Sequence, residues 1–353
     1  PVVRRAAALG GGALVVLAVA CTVAGLLLLN RLFDGQSLLV LGLLLSLAGY
    51  YAEHLSRGVL SGQGRFRPYG LTIAAEGTLR LIGCAVLALL GVATAGPYGV
   101  ILGAAPLVAT AIGLRGQRDL AAPGPEADRR ELTVALGWLL AGSVLAQALA
   151  NAGVVAVKFL ASDAERAVAG RFLASLIVAR VPMFLFTAVL APALPRLSRM
   201  AAEGDRRGFD AGLRRLLALV SALGGAGTVG AMAVGPFVLR TLFGAEFELA
   251  AHHLATLTVA CTIYLVALTL AQALIAVSGH GRVAMAWLAG VVTFGVVTAL
   301  GSDLLTRVEV GMLAGSVVAA AAMAGLLLPL LAHRVGPIAS DPVFTAPPPA
   351  PAA

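Results

Sequence analysis

Four ionisable side chains lie inside long apolar stretches of this sequence, and they are the first candidates for chemistry: Glu76, Arg80, Arg171 and Arg180. A charge in the middle of a bilayer is costly, so such a residue usually faces a cavity or a partner side chain. Glu76 and Arg80 are four residues apart, which places both on one face of a helix. Arg180 has no acidic residue within one helical turn of sequence, so its partner must be another helix, water or a bound ligand.

Each of these residues has a binding interpretation and a structural one. Arg180 is the best candidate for a diphosphate contact, because a guanidinium is a planar fork of donors that keeps its charge. Glu76 and Arg80 form either one wall of a polar cavity or a self-neutralised pair between helices. Arg171 lies near the start of its apolar stretch, so its side chain either binds substrate or extends to the outer headgroups.

Ten apolar stretches carry these side chains, and each is long enough, or nearly so, to cross a hydrocarbon core of about 30 Å as a helix. They cover residues 6–29, 38–56, 70–91, 97–114, 132–157, 168–194, 214–234, 253–278, 283–301 and 308–333. The chain is 59% hydrophobic and 12% charged, whereas a soluble domain has about 25% charged residues. The sequence therefore predicts an all-α polytopic membrane protein with about ten transmembrane helices.

The basic residues indicate how the chain is oriented. Of the 25 lysines and arginines, 17 lie in alternate gaps between the stretches, starting with the N-terminal flank, and only 5 lie in the other gaps. Positive charge accumulates on the cytoplasmic side of membrane proteins, so both chain ends are expected in the cytoplasm. The net charge of +8 fits this bias and anionic headgroups better than nucleic-acid binding.

Two further polar features stand out. Gln147 and Asn151 share a helix face in the fifth stretch, where they either bind sugar hydroxyls or hydrogen-bond to another helix. The segment 195–215 carries six arginines together with Glu203, Asp205 and Asp210. It is expected to form a short amphipathic helix on the inner membrane face, where a lipid-headgroup site is one interpretation.

Short matches between distant loops predict an internal repeat. Residues 61–65 read SGQGR and residues 278–282 read SGHGR, 217 positions later; RLFDG at 31–35 and RTLFG at 240–244 are about 210 positions apart. Both pairs relate a stretch to the sixth one after it, with Gly62 aligned with Gly279. A tight turn between helices needs positive φ, which glycine supplies. Two six-helix lobes would share one orientation, with the repeat axis along the membrane normal.

The repeat also predicts the domain organisation. Residues 1–114 form an N-terminal lobe of four helices, 115–131 a cytoplasmic linker, 132–335 a C-terminal lobe of six helices, and 336–353 a disordered Pro-rich tail. The pseudo-repeated bundles are thus 4 + 6 here and 6 + 6 if complete. The first lobe is expected to lack two helices before Pro1, which is about sixty to seventy residues if a span and its loop take about 30.

Three segments resemble the polysaccharide flippases of the multidrug/oligosaccharidyl-lipid/polysaccharide exporter superfamily. The first is residues 57–69, RGVLSGQGRFRPY, followed by Glu76 and Arg80. The second combines ARVP at 179–182 with PALPRLS at 192–198. The third combines Gly235-Pro236 with LFGAEF at 242–247. The resemblance covers residues 1–335 without the first two helices of that family. It implies a V-shaped pair of six-helix bundles around a central cavity, and export of a lipid-linked saccharide by alternating access.

The predicted function is therefore a transporter that flips a polyprenyl-diphosphate-linked oligosaccharide across the cytoplasmic membrane of a bacterium. In this hypothesis Arg180 and Arg80 contact the diphosphate, while Asn151 and Gln147 contact sugar hydroxyls. A cation-coupled multidrug exporter of the same superfamily is the first alternative; it needs a deep carboxylate such as Glu76. A membrane-embedded glycosyltransferase or polymerase is a weaker one, because no D-x-D pattern is present. We expect no enzymatic activity and no cofactor, metal or nucleic acid, and we expect membrane lipids, the substrate and a coupling cation as partners.

Overall fold

The computed structural model describes residues 2–33, 35–117, 120, 129–183, 186 and 193–334. Within these residues all regular secondary structure is helical. The chain divides into two compact units, Pro1–Asp128 (unit one) and Arg129–Ala353 (unit two). The predicted tail 336–353 and most of the predicted linker 115–131 lie outside the described residues.

Unit one is a small helical bundle of α1 (Val2–Leu27), α2 (Leu29–Phe33), α3 (Ser37–Gly62), α4 (Phe66–Leu89) and α5 (Ala95–Leu114). Helix α5 packs against both α3 and α4, and α1 packs along α3. Glycine makes the α3–α5 contact possible: a Cβ at Gly42 would lie 2.5 Å from the carbonyl carbon of Gly99. Gly99 and Gly103 have the GxxxG spacing that brings helix backbones together.

Unit two contains seven helices within the described residues: α6 (Arg129–Leu160), α7 (Arg166–Ala179), α8 (Ala193–Ala202), α9 (Arg206–Phe243), α10 (Ala251–Ala276), α11 (His280–Leu300) and α12 (Leu304–Arg334). Helix α10 is central, because it packs against α7, α8, α9 and α12. Phe172, Phe209 and Trp287 are fully buried in the core. Gly290 on α11 and Gly315 on α12 meet backbone to backbone, as the second GxxxG pair predicts.

The described residues contain nine helices that are long and apolar enough to cross a membrane, and they match nine of the ten predicted stretches. The sixth predicted stretch, 168–194, is only partly described: α7 ends at Ala179 and residues 187–192 lie outside the described part. Helix α9 starts at Arg206, eight residues before the predicted start. The predicted short helix in the arginine-rich segment is present as α8.

The packing of α1, α3, α4 and α5 repeats in α9, α10, α11 and α12. Helix α5 contacts α3 and α4 as α12 contacts α10 and α11, and α1 contacts α3 as α9 contacts α10. The structure therefore repeats the contact pattern of the first four predicted stretches in the last four.

The register of this repeat differs from the one expected from the matching letters. Helix α3 begins at Ser37 and α10 at Ala251, 214 residues later, and α4 at Phe66 and α11 at His280 have the same separation. The turns agree with 214: φ is +70° at Gly64 and +62° at Ser278. The N–H of Arg65 donates to Leu60 O at 2.8 Å, and the N–H of Gly279 donates to Leu274 O at 2.7 Å.

The expected alignment of Gly62 with Gly279 is therefore shifted by three residues. Gly62 is the last residue of α3, whereas Gly279 follows the end of α10. The hydrogen bonds that close the turn set the register, and the same letters occur at different steps of the two turns. In the second turn a serine, Ser278, has the positive φ that the sequence assigned to glycine.

Candidate functional site

A small cavity inside unit two contains the strongest of the sequence-predicted site residues. Four helical segments line it, through Leu149, Ala150, Arg180, Met183, Ala260, Cys261, Tyr264, Met312 and Ser316. Its volume is about 10 Å³, which is roughly the space that one water molecule needs. The polar groups of this otherwise apolar lining come from Arg180, Cys261, Tyr264 and Ser316.

The end of α7 positions Arg180. The helix runs to Ala179, and the N–H of Arg180 still donates to Leu176 O at 3.1 Å. Pro182 follows, and because its ring has no N–H and restricts the preceding residue, the regular helix stops here. Pro182 packs against Gly227 of α9, where a Cβ would lie 2.5 Å from its Cγ. The cation therefore lies at the negative end of the α7 dipole, which stabilises it.

The guanidinium of Arg180 is held by neutral groups. Its Nη2 donates to the carbonyl oxygen of Ala150 on α6, and its side chain hydrogen-bonds to the thiol of Cys261 on α10. No ion pair links Arg180 to a carboxylate within the residues that the structure describes. A guanidinium has five N–H donors, and Arg180 is only half-buried, so donors remain available to a ligand.

Tyr264 is the second polar group of the cavity. It is buried, its hydroxyl donates to Ala146 O at 3.1 Å, and its ring lies 5.2 Å from that of Trp287. These two contacts fix the ring, because neither end of the side chain is free to move. Arg180 lies within electrostatic reach of the Tyr264 hydroxyl.

Unit one holds the other predicted intramembrane arginine in a different environment. Nη2 of Arg80 lies 2.8 Å from Oε1 of Glu76, so the predicted i, i+4 pair is present. The same nitrogen donates to the Tyr50 hydroxyl at 2.5 Å and lies 3.4 Å from Leu102 O. The guanidinium also lies 5.3 Å from the centre of the Tyr50 ring. The charge of Arg80 is thus balanced within its own unit.

A second ion pair in unit one has a larger role than the sequence indicated. The interpretation of Glu53 and Arg57 as markers of a helix end was incomplete. Glu53 is fully buried, and its Oε1 lies 3.1 Å from Nη1 of Arg57. Nη2 of Arg57 donates to the Tyr69 hydroxyl at 3.1 Å. The i, i+4 spacing was the signal that could have identified this pair, as it did for Glu76 and Arg80.

Gln147 and Asn151 share the helix face that their spacing predicts. The Asn151 amide donates to Gln147 O at 3.0 Å and lies 3.4 Å from Gln147 Oε1. Both side chains are exposed on α6, and neither is among the residues that line the cavity.

Arg171 lies at the opposite end of α7 from Arg180. Its Nε donates to Glu246 O at 2.7 Å, in the short 3-10 turn Ala245–Phe247 that follows α9. The structure therefore brings Arg171 to a helix end rather than to the cavity with Arg180.

The same end of unit two contains a buried pair that the list of intramembrane charges omitted. Glu309 is buried on α12, and its carboxylate lies 2.9 Å from Nδ1 of His253 on α10. Its place at the very start of a predicted stretch concealed it. Outside the spans, the Thr306 N–H donates to Asp303 at 2.9 Å and lowers the pKa of that carboxyl. The described residues contain no group of three or more His, Cys, Asp or Glu that could hold a metal ion.

The comparisons with known proteins agree with this architecture. No protein-family model matches the chain. Uncharacterized proteins of Mycobacterium bovis and Mycobacterium tuberculosis are 26% identical to it over 297 residues, which is 82% of this chain. The chain spans 66% of the length of these relatives.

Several solved structures have the same fold. A MATE transporter in complex with MaD3S matches with a TM-score of 0.69 at 14% identity, covering 94% of this chain and 78% of that one. The Vibrio cholerae MATE transporter VcmN in its bent form matches with a TM-score of 0.65 at 15% identity, covering 92% and 78%. The chain therefore has the fold of the MATE transporters.

Proposed function

We propose that this protein moves a lipid-linked oligosaccharide of the polyprenyl-diphosphate type from the inner to the outer leaflet of a bacterial cytoplasmic membrane, for export of cell-surface polysaccharide. The transporter fold supports movement of a substrate by alternating access. The observation that carries the substrate class is Arg180, a half-buried cation in a cavity whose only described partners are a carbonyl and a thiol.

The chemistry of a diphosphate suits this environment. Its oxygens accept several charge-assisted hydrogen bonds, which are about twice as strong as neutral ones. Arg180 can offer a bidentate contact without first breaking an ion pair. Arg80 is assigned a second contact with the diphosphate, and Glu76 keeps its guanidinium oriented.

The remaining predicted residues are assigned to the rest of the substrate. Gln147 and Asn151 form an exposed amide pair on α6 that can hydrogen-bond to sugar hydroxyls. Arg171 is assigned to the outer end of the path, where it lies beside Glu246. Both chain ends are assigned to the cytoplasm, because the arginine-rich gaps favour that side.

A cation-coupled multidrug exporter is the second candidate, and one observation favours it. Such a transporter needs a buried carboxylate that can exchange a cation. Glu76 is engaged by Arg80, but Glu309 is buried and faces only a histidine, His253. The solved structures of this fold are described as multidrug MATE transporters.

Substitutions in the chromosomal gene separate the two candidates. We expect Arg180→Ala to abolish export of surface polysaccharide at normal abundance of the protein in the membrane, since the cavity keeps its shape but loses its cation. Arg180→Lys should restore export only in part, because an ammonium cannot make the bidentate contact. Surface polysaccharide is quantified against Arg166→Ala as control, since Arg166 is exposed and pairs only with Asp163.

Two outcomes would contradict the flippase. Full export by a well-expressed Arg180→Ala strain would remove Arg180 from the mechanism. Unchanged export in Glu309→Gln and Arg180→Ala strains, together with increased drug sensitivity of the Glu309→Gln strain, would favour the multidrug exporter.

A further inference from the structure

Six arginines form an exposed basic surface at one end of unit two, which we call the arginine surface. They are Arg196, Arg199, Arg206, Arg207, Arg214 and Arg215. None forms an ion pair within the described part of the chain. Three acidic residues share the segment, but Asp205 is engaged in capping α9, where it accepts from the Gly208 N–H at 2.8 Å. A local charge of +3 therefore remains.

Packing fixes the direction in which this surface faces. Leu197 and Ala201 of α8 are buried in the core that also contains Phe209 and Leu213 of α9. Gly212 of α9 lets α8 approach, since a Cβ there would lie 3.8 Å from Leu197. The apolar side of α8 is therefore turned to α9, and its arginines are turned away from the core.

The length of α9 places this surface at the edge of the membrane. The helix has 38 residues, or about 57 Å at 1.5 Å per residue, and a hydrocarbon core is about 30 Å thick. Residues 216–239 carry no charge and span about 36 Å. Arg215 and Arg240 therefore mark the two edges of the apolar segment, and α8 packs on the part of α9 that projects beyond the first edge.

We propose that the arginine surface binds the headgroups of anionic phospholipids in the surrounding membrane. Headgroup phosphates lie at this depth, and their oxygens accept the donors that the six guanidinium groups present. Clusters of four to eight basic residues beside a membrane helix are suited to anionic lipid. The site is separate from the cavity of Arg180, so it goes beyond the proposed function and requires no transported lipid.

Lipid titration tests this site directly. The purified chain in mild detergent is titrated with phosphatidylglycerol or with zwitterionic phosphatidylcholine, and bound lipid is counted by native mass spectrometry. We expect phosphatidylglycerol to bind in preference, with an affinity that falls as salt is added. Arg196→Gln with Arg199→Gln should weaken that binding about 30-fold, while the corresponding double Lys variant should keep most of it.

A matched control removes two exposed charges from the opposite end, Arg166→Gln with Arg240→Gln, and should bind phosphatidylglycerol like the unmodified chain. All substituted side chains are exposed, so we expect unchanged melting temperatures in phosphatidylcholine. Equal binding of the two lipids would overturn the proposal, as would an equal loss in the control or a loss in the Lys variant as large as in the Gln variant.

Discussion

The two units place a tyrosine at the same step of the repeat, and each tyrosine lies beside an intramembrane arginine. Tyr50 on α3 and Tyr264 on α10 are 214 residues apart, which is the register of the helix starts and turns. Tyr50 accepts a hydrogen bond from Arg80, and Tyr264 lines the cavity of Arg180. The tyrosines correspond, but the arginines do not, since Arg80 lies on α4 and Arg180 at the end of α7.

The difference between the two arginines lies in what balances their charge. Arg80 is paired with Glu76 at 2.8 Å, whereas Arg180 contacts a carbonyl and a thiol. A cation already paired with a carboxylate gains less from an incoming anion than one held by neutral dipoles. The same helical step therefore supports a structural pair in unit one and a candidate anion site in unit two.

The largest effect on stability should come from removing the carboxylate in unit one. Glu76→Leu leaves the Arg80 cation with only Tyr50 and the Leu102 carbonyl, which we expect to cost about 1–2 kcal/mol because the pair is partly exposed. The double variant Glu76→Leu with Arg80→Leu should recover most of this stability, since two apolar side chains replace both charges. Melting temperature in detergent is the measurement.

The exposed pair of Asp163 and Arg166 is the control for that experiment. Both side chains are largely in solvent, 92% and 79% exposed, so Asp163→Ala should leave the melting temperature unchanged. A double Leu variant no more stable than Glu76→Leu alone would show that the Glu76–Arg80 pair is not the structural unit inferred here.

A smaller effect tests the register on which the tyrosine comparison depends. At an offset of 214, Gly64 corresponds to Ser278, and both have positive φ; at an offset of 217, Gly64 would correspond to Gly281. We expect Ser278→Gly to stabilise the protein by about 1 kcal/mol and Gly64→Ser to destabilise it by a similar amount, because a side chain disfavours this backbone conformation.

Gly281→Ser is the matched control, since Gly281 lies in α11 and a Cβ there meets Trp138 at an ordinary 3.5 Å. It should cost little or raise the melting temperature slightly. Equal losses for Gly64→Ser and Gly281→Ser would return the register to 217 and separate Tyr50 from Tyr264.

Local spacing predicted some of these features, and long-range packing determined the others. The i, i+4 spacing predicted the pair of Glu76 and Arg80, and the absence of a nearby acid predicted that Arg180 finds its partner on another helix. Apolar length predicted nine of the observed helices. Tyr264 could not be identified in this way, because it comes beside Arg180 only when α10 packs against α7, 84 residues away in sequence.

The most direct test of the account is the affinity for undecaprenyl diphosphate of three purified variants that retain their fold. The account predicts that Arg180→Ala weakens binding about 10- to 100-fold, as loss of a charge-assisted contact does. Arg80→Ala should weaken it by less than about threefold, since its charge is already balanced by Glu76, and Arg166→Ala should not change it. Equal losses for Arg180→Ala and Arg80→Ala, or a larger loss for Arg80→Ala, would contradict the account.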